Sequence, residues 1–514
     1  MANSNQTSVA VETLTDATIR NSFGMATFFA DFFGIDPDVL DQYGAFNVSL
    51  VNDLPLFIDP FLLFNSEKEE YRHLHDEIIR YLIFLRNRAS KGSLPSNAHL
   101  QAWYCFPEVK QNWLGFSLSG NGGSGLGIDF ARLLHRNLGR VFPDAEDEKI
   151  TRGNHLEKVS LLAPGIGRDN ISDFTTNLIK GFLCEYTQTF AQKHLQAGLI
   201  RRVAVNKTSF NYDLEVWNRG YYDLPWINGD YVILTPKDIL TRDENWINRG
   251  DLIRDFEQIP TAIPDAQLRT QIANYFNKVL SRPKGRGPNE RERGEAAVKT
   301  ILEYPQLLDY YIRIKEDTGD KATDISSEKV FATEHVYVRQ LQEMQTLLNS
   351  LTPFYRMGRT SYEEAHARLQ YLKDVIENKG GHRLFYHEGK PVERESDLQI
   401  LYRLVWFGSP SDVGAEANDG RGPVDYKISR GGRDKTLIEM KLAKNTSLER
   451  NLQNQVPIYQ AASDAKNAIK AIIFFSKAQE ERVLGILEKL KLIDHPDIVL
   501  IDARNDNKPS GSKA

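Results

Sequence analysis

Apolar and polar residues alternate in two short stretches in the last quarter of the chain. The stretches are VDYKIS (424–429) and TLIEMKL (436–442), both rich in Val, Ile, Leu and Tyr, and the segment between them supplies two glycines. This pattern predicts two strands joined by a tight turn. With the turn placed between Arg430 and Asp434, the strands form an antiparallel hairpin.

The elements predicted on either side of the hairpin complete a compact α/β arrangement. Residues 391–406 have apolar positions at helical spacing, with Pro and Glu near the start as expected at a helix N-terminus. A short strand is predicted at about 412–417. After the hairpin, the predicted elements are a helix (446–465), a buried strand (468–476), a helix (478–492) and a last strand (497–504). The order up to the buried strand is therefore helix, three strands, helix, strand.

The predicted hairpin brings three charged side chains together. In the register set by the turn, Asp425 lies directly across from Glu439, and opposed Cβ atoms are roughly 4.5–5.5 Å apart. Glu439 and Lys441 are two residues apart, so they share one face of their strand. Two carboxylates can hold a hard cation such as Mg²⁺, which activates water near a phosphate. An adjacent lysine can orient that water and stabilise the transition state.

This arrangement resembles the core of the PD-(D/E)xK, or restriction-endonuclease-like, nuclease superfamily. Pro-Val-Asp (423–425) corresponds to the first half of the motif and Glu-Met-Lys (439–441) to the second. Gln455 and Tyr459 are four residues apart, hence on one helix face, and are similar to the Gln-x-x-x-Tyr motif of the RecB-like branch. Pro457 lies between them and is expected to kink that helix or delay its start.

The resemblance implies a fold and a function. The fold is an αβββαβ core with a central mixed sheet, preceded by a large α+β and helical region. The implied function is a Mg²⁺-dependent endonuclease, with Mn²⁺ able to substitute, acting on nucleic acid and most often DNA. Asp425 and Glu439 would bind the metal, Lys441 would act on the water, and Gln455 and Tyr459 would support the site. The chain also resembles bacterial restriction or anti-phage effectors, in which a large N-terminal region senses a trigger. For its protein partners this resemblance leaves two alternatives open, a second copy of the chain or a partner defence protein.

One further acid is expected near the metal, and the sequence leaves two candidates. Glu395 lies on the first helix, where members of the superfamily carry a further acid. A carboxylate at a helix N-terminus also complements the helix dipole, which would explain Glu395 without a metal. Glu416 lies at the end of the short strand before the hairpin and is the rival for the same role. The sequence does not choose between them.

The rest of the chain suggests four further regions. We predict a mixed α+β region at 1–280, a linker at 281–295, a helical region at 296–385 and a disordered tail at 506–514, with the nuclease domain at 386–505. Gly120–Gly127, a glycine-rich loop before a helix, supports the alternative function. In that alternative the protein binds nucleic acid without cutting it, or senses a nucleotide at this loop.

Composition narrows the class of protein. The chain has 514 residues, a net charge of −5 and two cysteines, and a pI near 6.2. It is long enough for several domains and is not a broadly basic coat for nucleic acid. Two cysteines indicate a reducing compartment. The sequence lacks a signal-peptide pattern and a run of about 20 apolar residues, so we expect a cytoplasmic protein without a membrane partner.

Overall fold

The computed structural model is that of a mixed α/β protein with several separate sheets. It describes residues 27–89, 95–115, 125–141, 150–162, 165–281, 286–352, 360–387, 389–406, 412–415, 426–430, 434–453 and 467–508. Within these ranges, no helix is long and apolar enough to cross a bilayer.

The labelled helices are numbered in chain order. They are α1 (Phe29–Phe33), α2 (Pro37–Tyr43), α3 (Pro60–Phe64), α4 (Glu69–Ala89), α5 (Asn97–Trp103), α6 (Ile128–Val141), α7 (Lys158–Leu162), α8 (Arg168–Leu178), α9 (Lys180–His194), α10 (Arg249–Arg254), α11 (Ala266–Val279), α12 (Glu290–Glu303), α13 (Leu307–Asp317), α14 (Gly319–Glu334), α15 (Gln340–Leu351), α16 (Ser361–Asn378), α17 (Glu395–Trp406) and α18 (Lys477–Leu490). Short 3₁₀ segments occur at Lys110–Asn112, Ala197–Leu199, Lys237–Ile239, Phe256–Ala262 and Gly381–Phe385, and a π-helical turn at His335–Arg339.

The strands are numbered in the same way. They are β1 (Phe57–Ile58), β2 (Ile200–Asn211), β3 (Val216–Ile227), β4 (Asp230–Tyr231), β5 (Leu240–Thr241), β6 (Tyr386–His387), β7 (Lys390–Pro391), β8 (Asp412–Ala415), β9 (Tyr426–Arg430), β10 (Asp434–Leu442), β11 (Asn467–Phe474) and β12 (Ile498–Asp502).

The chain divides into two compact units. The N-terminal unit comprises residues 36–48 and 52–335, and the C-terminal unit comprises the described residues of 1–35, 49–51 and 336–514. The division between residues 335 and 336 falls inside the segment predicted as one helical region. Within the predicted linker, helix α12 begins at Glu290, and the Asn289 side chain accepts a hydrogen bond from the Glu292 amide as its N-cap.

The N-terminal unit is largely helical. Its longest described helix, α4, buries residues at three- and four-residue spacing, among them Tyr71, Ile78, Leu82 and Leu85, as an amphipathic helix on a core does. A second core joins α3, α7 and the helices from α10 to α14. Its buried residues include Phe61, Ile247, Leu252, Phe256, Ile259, Ile272, Leu307, Leu308 and Tyr311. Strands β2 and β3 form a long antiparallel hairpin that packs against α9.

The C-terminal unit is built on a five-stranded mixed sheet in the order β12-β11-β10-β9-β8. Strands β8, β9 and β10 are antiparallel, whereas β10, β11 and β12 are parallel. The parallel pairs require crossover connections, and α18 provides the crossover from β11 to β12. The hairpin of β9 and β10 has the register predicted from the sequence, with Arg430 paired to Asp434 and Tyr426 paired to Ile438.

Helices cover both faces of this sheet. On one face, α18 and a short helix at 448–453 pack on the strands through a buried cluster: Ala443, Leu448, Leu452, Ile472, Phe474, Val483 and Leu487. On the other face, α16 begins against the start of β10. The backbone amide and hydroxyl of Ser361 donate to the Asp434 carboxylate at 2.8 and 2.6 Å, and the same hydroxyl lies 2.8 Å from Thr436 Oγ1. These bonds fix the register of α16 on the strand that carries the candidate site.

Candidate functional site

Strand β10 presents Glu439 and Lys441 on the same side of the sheet. Its neighbour β11 runs parallel to it, and in that pairing Glu439 lies opposite Lys470. All three charged side chains are buried, with residue exposures of 6%, 8% and 4% respectively. Charges are seldom buried to this degree unless they pair or bind a ligand, so this cluster is the first candidate for chemistry in the C-terminal unit.

One oxygen of the Glu439 carboxylate faces the positive charge of a lysine on the neighbouring strand. This atom, Oε2, lies 3.7 Å from Lys470 Nζ but accepts no hydrogen bond from any residue the structure describes. The Lys470 ammonium is anchored separately, by a 2.9 Å hydrogen bond to the Asn451 carbonyl. Burial lowers the pKa of Lys470, and the neighbouring Lys441 lowers it further, while Glu439 opposes both.

Glu395 reaches the end of the same strand from the start of α17. Its Oε1 atom accepts hydrogen bonds from the Leu442 amide at 3.2 Å and the Asn445 side-chain amide at 2.6 Å. Its Oε2 atom lies 3.7 Å from Lys441 Nζ. One Glu395 oxygen is therefore engaged with the strand end, and the other faces the lysine of the Glu-x-Lys motif.

Four of the predicted site residues fall outside the described residues. They are Asp425, Glu416, Gln455 and Tyr459. The last described pair of the β9–β10 hairpin is Tyr426 with Ile438, and Asp425 is the residue that precedes Tyr426 in the chain. The structure thus brings together Glu439, Lys441 and Glu395, and the placement of the other four stays a prediction.

Two residues of this cluster were not singled out in the sequence. Lys470 interrupts the otherwise apolar strand NAIKAIIF, and a lone charge in a strand buried on both faces was the available signal. Asn445 follows β10 in a turn and gives no local signal. Both enter the cluster through contacts between segments that are distant in sequence.

The described part of this cluster offers one oxygen that suits a divalent cation. Carboxylate oxygens are the ligands Mg²⁺ prefers, and Glu439 Oε2 is a buried carboxylate oxygen with no hydrogen bond from the described residues. Among those residues no group of three His, Cys, Asp or Glu side chains is arranged to hold a metal. Glu439 therefore fits as a ligand. Of the other predicted ligands, Glu395 lies near the end of the same strand, and Asp425 and Glu416 lie outside the described residues.

A second buried polar cluster lies in the N-terminal unit. The Asp59 carboxylate accepts hydrogen bonds from the Phe61 and Trp246 amides at 3.1 and 2.7 Å. These bonds favour its charged form. Burial raises the pKa of the adjacent Glu157 well above its usual value, and the Asp59 charge raises it further. Burial raises the pKa of Asp59 as well, against the lowering effect of these amide bonds. The bonds tie α3 to the segment that precedes α10, which is a structural role.

The glycine-rich loop has a packing explanation where it is described. Gly125 has a φ of +61°, and a Cβ atom there would lie 2.5 Å from the Glu108 amide nitrogen and 2.7 Å from the Phe106 carbonyl oxygen. Leu126 and Phe106 exchange backbone hydrogen bonds of 2.8 and 3.1 Å. The glycine thus permits a close backbone approach. Residues 120–124 of the loop lie outside the described ranges.

Comparison with known proteins yields two matches, both to family models that carry no function. Residues 34–248 are similar to a domain of unknown function, DUF8370. Residues 361–477 are similar to another domain of unknown function, DUF8371. No curated protein and no solved structure matches the chain. The second match runs from the first residue of α16 to the first residue of α18, so it contains every residue of the candidate site.

Proposed function

We propose that this protein is a metal-dependent nuclease that hydrolyses phosphodiester bonds, with DNA as its substrate. Its catalytic part would be a restriction-endonuclease-like domain of the PD-(D/E)xK type at residues 386–505, within the C-terminal unit. The observation that supports the proposal best is that β10 buries Glu439 and Lys441 on one side of the sheet, with the half-buried Glu395 carboxylate 3.7 Å from Lys441 Nζ. The order of α17, three strands, the 448–453 helix and β11 is also the one the resemblance implies.

Each residue would take the role that the resemblance implies for it. Glu439 would hold the cation, with Asp425 as the second ligand and Glu395 or Glu416 as the further acid. Mg²⁺, when bound, lowers the pKa of a water molecule and offsets charge on the phosphate. Lys441 would orient the attacking water and stabilise the anionic transition state. Glu395, 3.7 Å from Lys441 Nζ, would hold that ammonium in place.

Gln455 and Tyr459 remain proposed as supports of the site and contacts to the DNA. They follow the 448–453 helix in the chain, and Lys470 already links that helix to β11 through the Asn451 carbonyl.

The test is cleavage of a substrate panel by the purified full-length protein. Supercoiled plasmid, linear duplex, single-stranded DNA and RNA are incubated with Mg²⁺, Mn²⁺ or EDTA. Glu439→Gln removes the proposed ligand without changing shape, and Glu481→Gln is the matched control, because Glu481 is an exposed acid on α18. We expect metal-dependent cutting by wild type and the control and none by Glu439→Gln. Equal cutting by all three proteins would contradict the assignment.

A protein that binds nucleic acid without cutting it would give a different result. It would retain DNA binding in a gel-shift assay, show no cleavage in any metal, and bind DNA equally well with Glu439→Gln. Equilibrium Mn²⁺ binding separates the two functions further, because only the nuclease needs Glu439 to take up the cation.

A further inference from the structure

Lys470 and Glu439 form a buried pair that the nuclease motif does not include. The two residues are opposed on the parallel strands β10 and β11, and Lys470 Nζ lies 3.7 Å from Glu439 Oε2. Residue exposures of 4% and 6% mean that water screens this contact little. The Lys470 ammonium is held in place by the Asn451 carbonyl at 2.9 Å.

A carboxylate this deeply buried needs a counter-ion. Removing one partner of a buried ion pair leaves an uncompensated charge and is strongly destabilising. In the protein without metal, Lys470 supplies the positive charge that Glu439 requires. Lys441 lies 3.7 Å from a different acid, Glu395.

The contact between Lys470 and Glu439 also leaves the carboxylate able to bind a cation. Oε2 accepts no hydrogen bond from the described residues, and 3.7 Å is beyond hydrogen-bond distance. Its lone pairs are therefore not committed to a directional bond, and a divalent cation can bind them. Such a cation would meet the repulsion of the nearby ammonium.

We propose that Lys470 is a positioning residue, the resident counter-ion of Glu439, and that it competes with the divalent cation for this carboxylate. The inference rests on the proposed metal-dependent function. It adds a residue that keeps the site stable without metal and limits how tightly metal binds. Metal occupancy would then depend on the cation concentration instead of being permanent.

The experiment measures Mn²⁺ binding to the full-length protein by electron paramagnetic resonance, together with thermal unfolding with and without Mn²⁺. The variants are Lys470→Met, Lys470→Arg, Glu439→Gln and the double variant Glu439→Gln/Lys470→Met. Lys373→Met is the matched control, because Lys373 is ion-paired to Glu377 on α16 at 2.9 Å and is no part of the site.

We expect Lys470→Met to bind Mn²⁺ at least about tenfold more tightly than wild type, because an ammonium close to a divalent cation repels it. Without metal, this variant should unfold at a lower temperature than wild type, and Mn²⁺ should raise that temperature more than it does for wild type. Lys470→Arg should bind Mn²⁺ as wild type does, since the charge is kept, and Lys373→Met should leave Mn²⁺ binding unchanged.

The double variant keeps the proposal testable if Lys470→Met folds poorly. With neither charge left buried, Glu439→Gln/Lys470→Met should unfold at a higher temperature than Lys470→Met without metal. Equal unfolding temperatures, or unchanged or weaker Mn²⁺ binding by Lys470→Met, would overturn the role of Lys470. Wild-type Mn²⁺ binding by Glu439→Gln would instead remove the metal site itself, and with it the proposed function.

Discussion

Replacing Glu395 with alanine tests how the end of β10 is held. The substitution removes the acceptor of two hydrogen bonds, from the Leu442 amide at 3.2 Å and the Asn445 side chain at 2.6 Å. It also removes the carboxylate that faces Lys441. Because Leu442 directly follows Lys441, loss of these bonds should loosen the strand where the proposed catalytic lysine sits.

The expected loss in the free energy of unfolding follows from the number of hydrogen-bond donors left without a partner. Losing a hydrogen bond to a charged group costs roughly 1.5–3 kcal/mol, and an exposed partner lowers that figure. Leu442 is buried, whereas the Glu395 side chain is 24% exposed. We therefore expect Glu395→Ala to lower the free energy of unfolding of the C-terminal unit by about 2–4 kcal/mol. Glu395→Gln keeps an acceptor oxygen in place and should cost about 1 kcal/mol or less.

Hydrogen exchange at the amide of Leu442 measures this effect directly. Exchange at that amide should accelerate strongly in Glu395→Ala and little in Glu395→Gln, while urea denaturation followed by circular dichroism gives the change in stability. In cleavage assays, Glu395→Gln should lose about tenfold in rate or less, far less than Glu439→Gln. Unchanged Leu442 exchange in Glu395→Ala would refute the anchoring role, and complete loss of cleavage in Glu395→Gln would make Glu395 a metal ligand instead.

Two further predictions concern the N-terminal unit. Burial raises the pKa of the Asp173 carboxyl from 3.8 to about 7, and the nearby charges of Asp169 and Glu108 add to the effect. The folded protein therefore favours the protonated carboxyl. The stability that this group contributes is complete below pH 4 and is lost as the pH rises through 7. Asp173→Asn should stabilise the unit at pH 8 by up to about 4 kcal/mol and should not stabilise it at pH 4. Urea denaturation followed by tryptophan fluorescence measures the change. A gain in stability that does not depend on pH would contradict this prediction. Gly125→Ala should lower the free energy of unfolding by at least about 2 kcal/mol, because it places a Cβ atom on a left-handed backbone, 2.5 Å from the Glu108 amide nitrogen. If the variant instead keeps wild-type stability and loses nucleotide binding, the result would favour a sensing loop.

The parts of the site that the sequence predicted depend on local pattern. The turn between Arg430 and Asp434 and the alternation on both sides set the β9–β10 register, and the structure has that register. Glu395 was predicted near a helix start from the residues around it, and it is the first residue of α17. In each case neighbours in sequence supply the information.

The parts that the sequence missed depend on contacts between distant segments. Lys470 faces Glu439 only because β11 returns parallel to β10 after a crossover, and no local pattern gives the register of that pairing. The pair of Asp59 and Glu157 joins residues almost a hundred positions apart. Asp59 lies in the apolar run PLFIDPFLLF, but nothing in the sequence around it indicates Glu157 as its neighbour.

The most direct test of the account is Mg²⁺-dependent cleavage of linear duplex DNA by wild type beside Glu439→Gln and Lys441→Met. We expect wild type to cut with Mg²⁺ and not with EDTA. Each variant, shown to be folded by circular dichroism, should lose at least about a hundredfold in cleavage rate. Cleavage by both variants at the wild-type rate would contradict the central claim that the acid and lysine at the end of β10 form a nuclease site.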